Sequence, residues 1–450
     1  MPHDLEGLKR HLNEIVGGEH LQSGAAAAGF SVDGVVPTLV ARPGTQEQVE
    51  AAVAACGKAG AAIAPWGGGT AMGLGNAPAR LDVVLCLDRL SRIVEFDAAN
   101  LVVSAEAGVR MADLQQLLAT KREVLPLDCA RMDRRTVGGI IATNASGPSR
   151  LLYGTARDLV LGLRVVLGSG ERVRCGGKVI KNVSGYDMTK VFIGSLGTLG
   201  IITEVTFKLL PMPATRATVT VVFSDLAQPA AVVKRVLESF LLPEAIELLD
   251  PQALETVAAG LGLAGSAGYG VAVSLAGSPE TVERQVRDFT QFFTDGKAVR
   301  TSALGADASP AVWRELRGVL DRVGKADDRV VVKIGVPVSR TAAFLASAEE
   351  LGRRQGWRGA ITAHAGSGVV RAAYAIGAGA LEPARDAIEA LRREAEGALG
   401  SLVVEAAPVA LKQHLEAWGK PGEAFPVMQR MKAEYDPRGF LNPGRFLGGI

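Results

Sequence analysis

The sequence has 450 residues, 48% hydrophobic and 21% charged, with 49 Lys and Arg against 47 Asp and Glu for a formal charge of +2. That length supports two or three domains around a large core, and the composition excludes a disordered chain. No basic excess draws it to nucleic acid or anionic lipid, and no apolar run approaches the ~18 residues of a membrane span. The N-terminal MPHDLEGLKRHLNEIV lacks the apolar core of a signal peptide and reads as a short polar helix, so a cytoplasmic chain is expected. Thr45 and Gln48 predict a capping box that opens a helix through about Cys56, with Val49, Val53 and Cys56 on one face. Residues 61–64 read as a short buried strand leading into Pro65-Trp66-Gly67-Gly68-Gly69-Thr70, and 82–87 as another strand. Strands at 91–96 and 101–106, joined at 97–100, form a hairpin; 111–118 is helical. A second hairpin, 159–167 with 172–175, turns at Gly168-Ser169-Gly170-Glu171, and a long strand over 201–210 ends at Pro211 and Pro213.

Beyond those prolines the texture changes. Strands are expected at 218–223, 245–249, 269–275, 330–336, 361–363 and 369–375, and helices at 230–240, 341–354 and 381–399. Ser278-Pro279 opens a further helix that carries Val282, Val286, Phe289 and Phe292 inward. Mixed strands and helices of this kind suggest an α+β cap over a sheet. The last stretch, 425–450, is a helix followed by an irregular tail.

Glycine is plentiful, at 54 residues, and clusters at 67–75, 138–147, 168–177 and 194–200, all in the first half. Such clusters let backbone N–H groups approach a ligand closely. The loop at 65–70 follows a strand, so it is either a pyrophosphate cradle with the Thr70 hydroxyl as an extra donor or only a tight turn. Residues 136–147 mix apolar side chains with small polar donors, which suits a ring system beside a phosphate. Gly260-Leu261-Gly262-Leu263-Ala264-Gly265 spells a dinucleotide fingerprint, but a helix precedes it and a strand follows, the reverse of what that motif needs. It reads as a helix-ending loop. Four cysteines, Cys56, Cys86, Cys129 and Cys175, form no C-x-x-C, which excludes the usual zinc-finger and iron–sulfur motifs.

Together the loops resemble the FAD-binding domain of the vanillyl-alcohol oxidase/p-cresol methylhydroxylase superfamily, and within it the glycolate oxidase/D-lactate dehydrogenase branch. Five stretches carry the resemblance: 66–70, 137–147, Lys181-Asn182-Val183-Ser184-Gly185-Tyr186-Asp187-Met188-Thr189-Lys190, 194–204, and Leu441-Asn442-Pro443-Gly444-Arg445-Phe446. The resemblance implies an α+β fold: a two-subdomain FAD-binding domain over 35–212, a cap over 213–405, and a C-terminal segment, 406–450, that returns to the flavin, all after a helical segment at 1–34. It also implies roles. Gly67, Gly68, Gly69 and Thr70 would cradle the FAD pyrophosphate. Gly138, Gly139, Asn144, Ser146 and Gly147 would line the pyrophosphate and the flavin edge, with Gly154 and Asp158 supporting that loop. Gly197, Thr198, Gly200 and Ile202 would hold the adenine half and the ring, and Asn442 would close the site. Relatives with covalent flavin place a His in the first loop; here it reads Gly69-Thr70-Ala71-Met72, so the FAD is expected to be non-covalent.

The cap departs from the branch. Oxidising members carry H-A-G-D-G-N-L-H and a later E-H-G that together bind a divalent metal and supply a base. This chain reads His364-Ala365-Gly366-Ser367-Gly368-Val369-Val370-Arg371, then Glu405-Ala406-Ala407. One imidazole and one carboxylate beside an arginine make a poor cation site, so no metal is expected. His364 is either a substrate contact or a structural hydrogen-bonding group. His414 reads as a helix-surface residue. Arg371 and Arg317 could each clamp a carboxylate, although Arg317 sits on a helix, 311–319, whose charges would ordinarily face solvent.

Flavin loops kept and metal ligands lost is a pattern most similar to the second, E-type FAD-binding subunit of bacterial glycolate oxidases. That resemblance implies oxidation of a small 2-hydroxy acid to the 2-oxo acid, with an iron–sulfur subunit and a second flavoprotein subunit as partners and possible peripheral attachment to the inner membrane through them. The alternatives are a self-contained FAD-dependent 2-hydroxy-acid dehydrogenase and a non-catalytic relay or assembly subunit.

Overall fold

The computed structural model describes residues 4–178, 185–377 and 379–450. The N-terminal helix Leu5–Val16 is more than polar: Leu8, Leu12 and Val16 form a buried stripe at helical spacing, and the Asp4 carboxylate caps it from Gly7 N at 2.8 Å. It packs on the helix Gln46–Ala59, which buries Val49, Val53 and Cys56 as the sequence predicts. Thr45 accepts from Gln48 N, but the Gln48 side chain reaches one residue further back than a capping box requires and accepts from Gly44 N at 2.7 Å. These helices cover a four-stranded sheet ordered Leu21–Ser23, Leu39–Ala41, Val83–Cys86, Ile63–Trp66. Val83–Cys86 pairs in parallel with both neighbours and is buried along its whole length, which accounts for its unbroken apolar sequence.

A five-stranded antiparallel sheet follows, ordered Ile93–Asp97, Val102–Glu106, Ile201–Lys208, Val160–Val166, Arg172–Gly176. Both expected hairpins are present in it. Its core includes Val103, Val205, Phe207, Leu163 and Val165 together with Leu114 and Leu118 of the helix Met111–Ala119. Val166 and Ile201 instead pack with Phe440 and Leu441 of the tail, joining the two sheets. The segment 137–143, read from sequence as part of a loop, is a short helix, Val137–Thr143.

From Thr215 onward the chain builds one eight-stranded antiparallel sheet: Arg300–Leu304, Thr215–Phe223, Tyr269–Gly277, Ala245–Leu249, Arg358–His364, Val369–Ala375, Arg329–Gly335, Ser401–Ala406. Helices Ala227–Leu237, Pro279–Asp295, Thr341–Gln355 and Leu381–Gly397 cover one face. Pro251–Val257 and Ser309–Gly318 cover part of the other. In Pro279–Asp295 the inward aromatics are Phe289 and Phe293, both nearly inaccessible, while Phe292 is partly exposed beneath the Arg235 guanidinium, 3.9 Å from its ring centre. The glycine run at 260–265 lies between the helix Pro251–Val257 and the strand Tyr269–Gly277, as a helix-ending turn should. Among the described residues no helix is long and apolar enough to cross a membrane.

Candidate functional site

Three glycine-rich segments meet at the end of Ile63–Trp66. There the chain passes under residues 134–136 so closely that a Cβ on Gly68 would lie 1.7 Å from the Arg134 carbonyl oxygen. Thr136 caps the helix Val137–Thr143, its hydroxyl accepting from Gly139 N at 3.3 Å. Gly194 N and Leu196 N donate to the carbonyls of Ile141 and Ala142 at 2.9 and 2.8 Å, which fastens the third segment to that helix. Gly197 has φ +72 and rests on Pro65, where a Cβ would come within 2.4 Å of the ring. The tail closes the group: Asn442 N donates to Ile63 O and its Nδ2 to Leu196 O, both at 2.7 Å.

Two contiguous cavities result. Gly67, Gly68, Gly138, Gly139, Gly197, Gly200, Ile202 and Asn442 line the first; Gly69, Thr70, Ala71, Met72, Arg135 and Thr143 line both. Asn144, Ser146, Arg317, His364 and Arg371 line the second. Four expected residues stand off the walls. Gly147 is tucked against the Asp128 backbone, Gly154 and Asp158 form the capping turn around Thr155, and Thr198 points its hydroxyl inward to Ser195 O at 2.8 Å. Residues 181–184 of the fourth sequence stretch fall outside the described residues.

The chemistry of the walls fits FAD. Leu87, Ala107, Met72 and Ile202 supply apolar surface, and glycine backbone supplies close approach. Asn144 Oδ1, Asn442 Oδ1 and Arg135 Nε are buried with no partner among the described residues. Each such orphan costs about 1–3 kcal/mol unless a ligand completes it.

The second cavity ends on the eight-stranded sheet, and strand periodicity decides what it meets there. Glu247, Lys333, His364, Arg371 and Glu405 all alternate onto one face, the face shared with Ala245, Val331 and Ala360 rather than with Ile246 and Val332. Glu247 lies directly opposite His364 in the ladder, and His364 Nδ1 bonds its carboxylate at 2.7 Å; the two residues are 2% and 7% exposed. A carboxylate only accepts, so Nδ1 carries the proton of that bond and Nε2 is the ring nitrogen left outside it. Arg371 donates to Glu405 Oε2 through Nε at 3.1 Å and a terminal nitrogen at 2.5 Å. Its guanidinium is therefore largely committed, where the sequence offered it as a free clamp. Burial pushes the Glu405 carboxyl up, but the Arg371 and Lys333 charges outweigh it, so the group lies below its ordinary value. Arg317 does not face bulk solvent: its side chain is 18% exposed and stands 3.7 Å from Asp128, whose carboxylate also accepts from Ser149 N and Oγ. His414 is exposed, as expected, but lies just past the helix Val409–Lys412 and not on it.

Glu247, Lys333, Arg135, Arg150 and Cys129 also belong to this region and were not singled out from sequence. For two of them a signal existed. Glu247 interrupts Ala245-Ile246-Glu247-Leu248-Leu249, and Lys333 interrupts Val330-Val331-Val332-Lys333-Ile334; a charge inside a buried apolar strand asks for a partner. All four cysteines are buried and free, and burial pushes the Cys56 thiol up to about 12.

Residues 37–176 match the family model described as FAD binding domain, and residues 212–446 match that of FAD linked oxidases, C-terminal domain. The chain is 28% identical to the glycolate oxidase subunit GlcD of Bacillus subtilis, over 97% of this chain and 96% of that one. It is also 28% identical to the mitochondrial D-2-hydroxyglutarate dehydrogenase of Bos taurus, over 91% and 76% of the two chains. In fold it is similar to p-cresol methylhydroxylase with substrate bound, with a TM-score of 0.78 at 15% identity, covering 99% and 97%.

Proposed function

The chain belongs to the FAD-linked oxidase family, and on that premise we propose that it oxidises a 2-hydroxy acid to the 2-oxo acid as one subunit of a larger electron-transferring complex. The observation that carries this reading is the buried Glu247–His364 pair, whose histidine lines the second of the two adjoining cavities. FAD, when bound, supplies the acceptor for the hydride that leaves the hydroxyl-bearing carbon. Gly67 to Thr70, Gly138, Gly139, Gly197, Gly200, Ile202 and Asn442 are the residues assigned to hold it, and the first loop offers no His, Cys or Tyr for covalent attachment. His364 Nε2 takes the hydroxyl proton, and Glu247 holds the ring in the required tautomer and offsets the charge the ring acquires. Arg317 binds the acid's carboxylate, since among the described residues its donors make no hydrogen bond and its nearest carboxylate, Asp128 at 3.7 Å, accepts from Ser149 N and Oγ. No metal is assigned, because the Glu405 carboxylate is taken by Arg371.

The partner is assigned as an iron–sulfur subunit, with a second flavoprotein subunit beside it. Supporting this are four separated, buried cysteines that build no cluster here and a family of flavin enzymes whose electrons must leave. The Glu247–His364 pair equally favours a second reading, a dehydrogenase complete in itself. Anaerobic addition of 2-hydroxy acids to the purified flavin-loaded chain separates them. Bleaching of the flavin followed by slow reoxidation in air, and fast reoxidation with the neighbouring subunits, supports the complex. Rapid turnover by the isolated chain with oxygen supports the self-contained enzyme. No bleaching by any 2-hydroxy acid removes both.

A further inference from the structure

A separate cavity lies behind the third glycine segment. That segment, 194–200, is the partition: Leu196, Gly197 and Gly200 line the first cavity, while Ser195, Thr198 and Leu199 line this one. The helix Phe425–Tyr435 roofs it with Met428 and Met431, and Val191 and Phe446 stand at its sides. Its volume is about 210 Å³, and among the described residues no charged side chain lines it. The roof is held at its ends. In its first turn Phe425 rests on Gly448, where a Cβ would come within 2.3 Å of the ring. In its last turn Lys432 donates to the Thr198 and Leu441 carbonyls at 2.7 and 2.9 Å, and Tyr435 meets Phe192 edge-on at 5.4 Å between ring centres. No residue of the helix is buried. A helix in a folded protein draws most of its stability from burying an apolar face. Here the middle of that face is two methionines over a cavity, and methionine adapts its shape to what it meets.

On the partition, Ser195 is 4% exposed and its hydroxyl has no partner among the described residues. The neighbouring Thr198 hydroxyl is already taken, by Ser195 O at 2.8 Å. A buried hydroxyl without a partner is destabilising until a ligand or a water completes it. The lack of charge on the walls excludes a carboxylate or a phosphate, which would be desolvated there without a counter-charge. A cavity of about 150 Å³ holds benzene, so this one has room for about eight non-hydrogen atoms. We propose that the space between Phe425–Tyr435 and the segment 194–200 binds a neutral, mainly apolar molecule of that size, whose single hydroxyl or carbonyl oxygen accepts from Ser195. The site stands apart from both cavities described above and does not rest on the reading of the chain as a 2-hydroxy-acid oxidoreductase.

Benzyl alcohol, ethylbenzene and benzylammonium, alike in size and shape, test this. The flavin-loaded protein, isotope-labelled at its methionine methyl groups, is titrated with each and followed by NMR, the Met428 and Met431 signals being assigned through Met428→Leu and Met431→Leu. Benzyl alcohol and ethylbenzene should shift those two signals, and benzylammonium should bind at least about tenfold more weakly than benzyl alcohol. Ser195→Ala should weaken benzyl alcohol about fivefold, the effect of one hydrogen bond, and leave ethylbenzene unchanged. Val191→Phe, which fills the space, should abolish binding of both at unchanged flavin content. Failure of the two neutral probes to shift the Met428 and Met431 signals overturns the proposal. So does benzylammonium binding as tightly as benzyl alcohol, equal weakening of both neutral probes by Ser195→Ala, or binding that survives Val191→Phe. No measurement here needs turnover, so a failure of this site leaves the 2-hydroxy-acid reading standing, and bleaching of the flavin tests that reading separately.

Discussion

A glutamate inside a buried apolar strand needs a reason, and for Glu247 the reason is His364. Glu247→Gln keeps the shape but removes the charge that fixes the tautomer. It should lower kcat by roughly ten- to a hundredfold at unchanged flavin content, with KM little altered, out of the about 10²–10⁴ that a positioned base contributes. Steady-state kinetics of the variant checks this, and an unchanged kcat would make the pair purely structural. Arg371 and Glu405 are about a quarter exposed, so breaking them should cost less than a fully buried pair, about 2 kcal/mol at neutral pH. The sign with pH follows from the lowered Glu405 value. The pair's stabilisation is present above the ordinary carboxylate range and is lost as pH falls through the folded value. Urea unfolding of Arg371→Met should therefore show a deficit at pH 7 that shrinks toward pH 4; an equal deficit at both would assign it to packing alone. At this scale sequence reading singles out residues that carry a family pattern, such as Gly68 and His364, and both line the cavities. It misses Lys333, whose place opposite Arg371 is decided by the register of strands distant in sequence.

At the scale of elements, Asp250 joins two. Its carboxylate caps the helix Pro251–Val257 through Ala253 N at 2.8 Å and accepts from Ile361 N of the adjacent strand at 3.0 Å. Burial pushes it up to about 7, against those hydrogen bonds. A carboxyl raised in the folded state costs stability as pH climbs from its unfolded value of about 3.9, and the cost reaches about 4 kcal/mol above pH 7. Asn caps as well as Asp and does not titrate. Urea midpoints should fall between pH 5 and pH 8 for the natural protein and stay level for Asp250→Asn; parallel curves would refute the assignment. Most strands and helices were legible because their apolar periods are clear. Two exceptions have physical causes. The helix Val137–Thr143 carries two glycines, which lower helix propensity, but the Thr136 cap and burial of Ile140 and Ile141 override it. In Pro279–Asp295 the stripe turns with the helix, so Phe293 replaces Phe292 on the inner face by the end. The order of the eight-stranded sheet was not legible, since its neighbours are set by tertiary packing between segments far apart in sequence.

Across the whole molecule, one arginine ties three regions together. Arg445, from the tail, pairs with Asp33 at 2.9 Å and donates to the carbonyls of Met72, Leu74 and Asn76 at 2.6 to 2.8 Å. Lys412 reaches the same carboxylate at 2.9 Å. Arg445→Met should leave Asp33 paired with Lys412 and the fold intact, yet free the segment beside Gly69 and Thr70. Flavin fluorescence after dilution should then rise about tenfold faster than in the natural protein; an unchanged release rate would mean that the segment needs no staple. The tail has a further consequence, for biosynthesis. Ile63–Trp66 is an edge strand of its sheet, and what covers that edge is Leu441, in a parallel bridge to Ile63. At about 5–20 residues per second, a ribosome delivers the cover roughly 20–75 s after the edge. For that interval the nascent chain carries an open strand edge directly before its cofactor loop, exposed to pairing with other chains. Holoprotein yield is thus set by how well the cell shields an unfinished chain, and a slower ribosome lengthens the exposure.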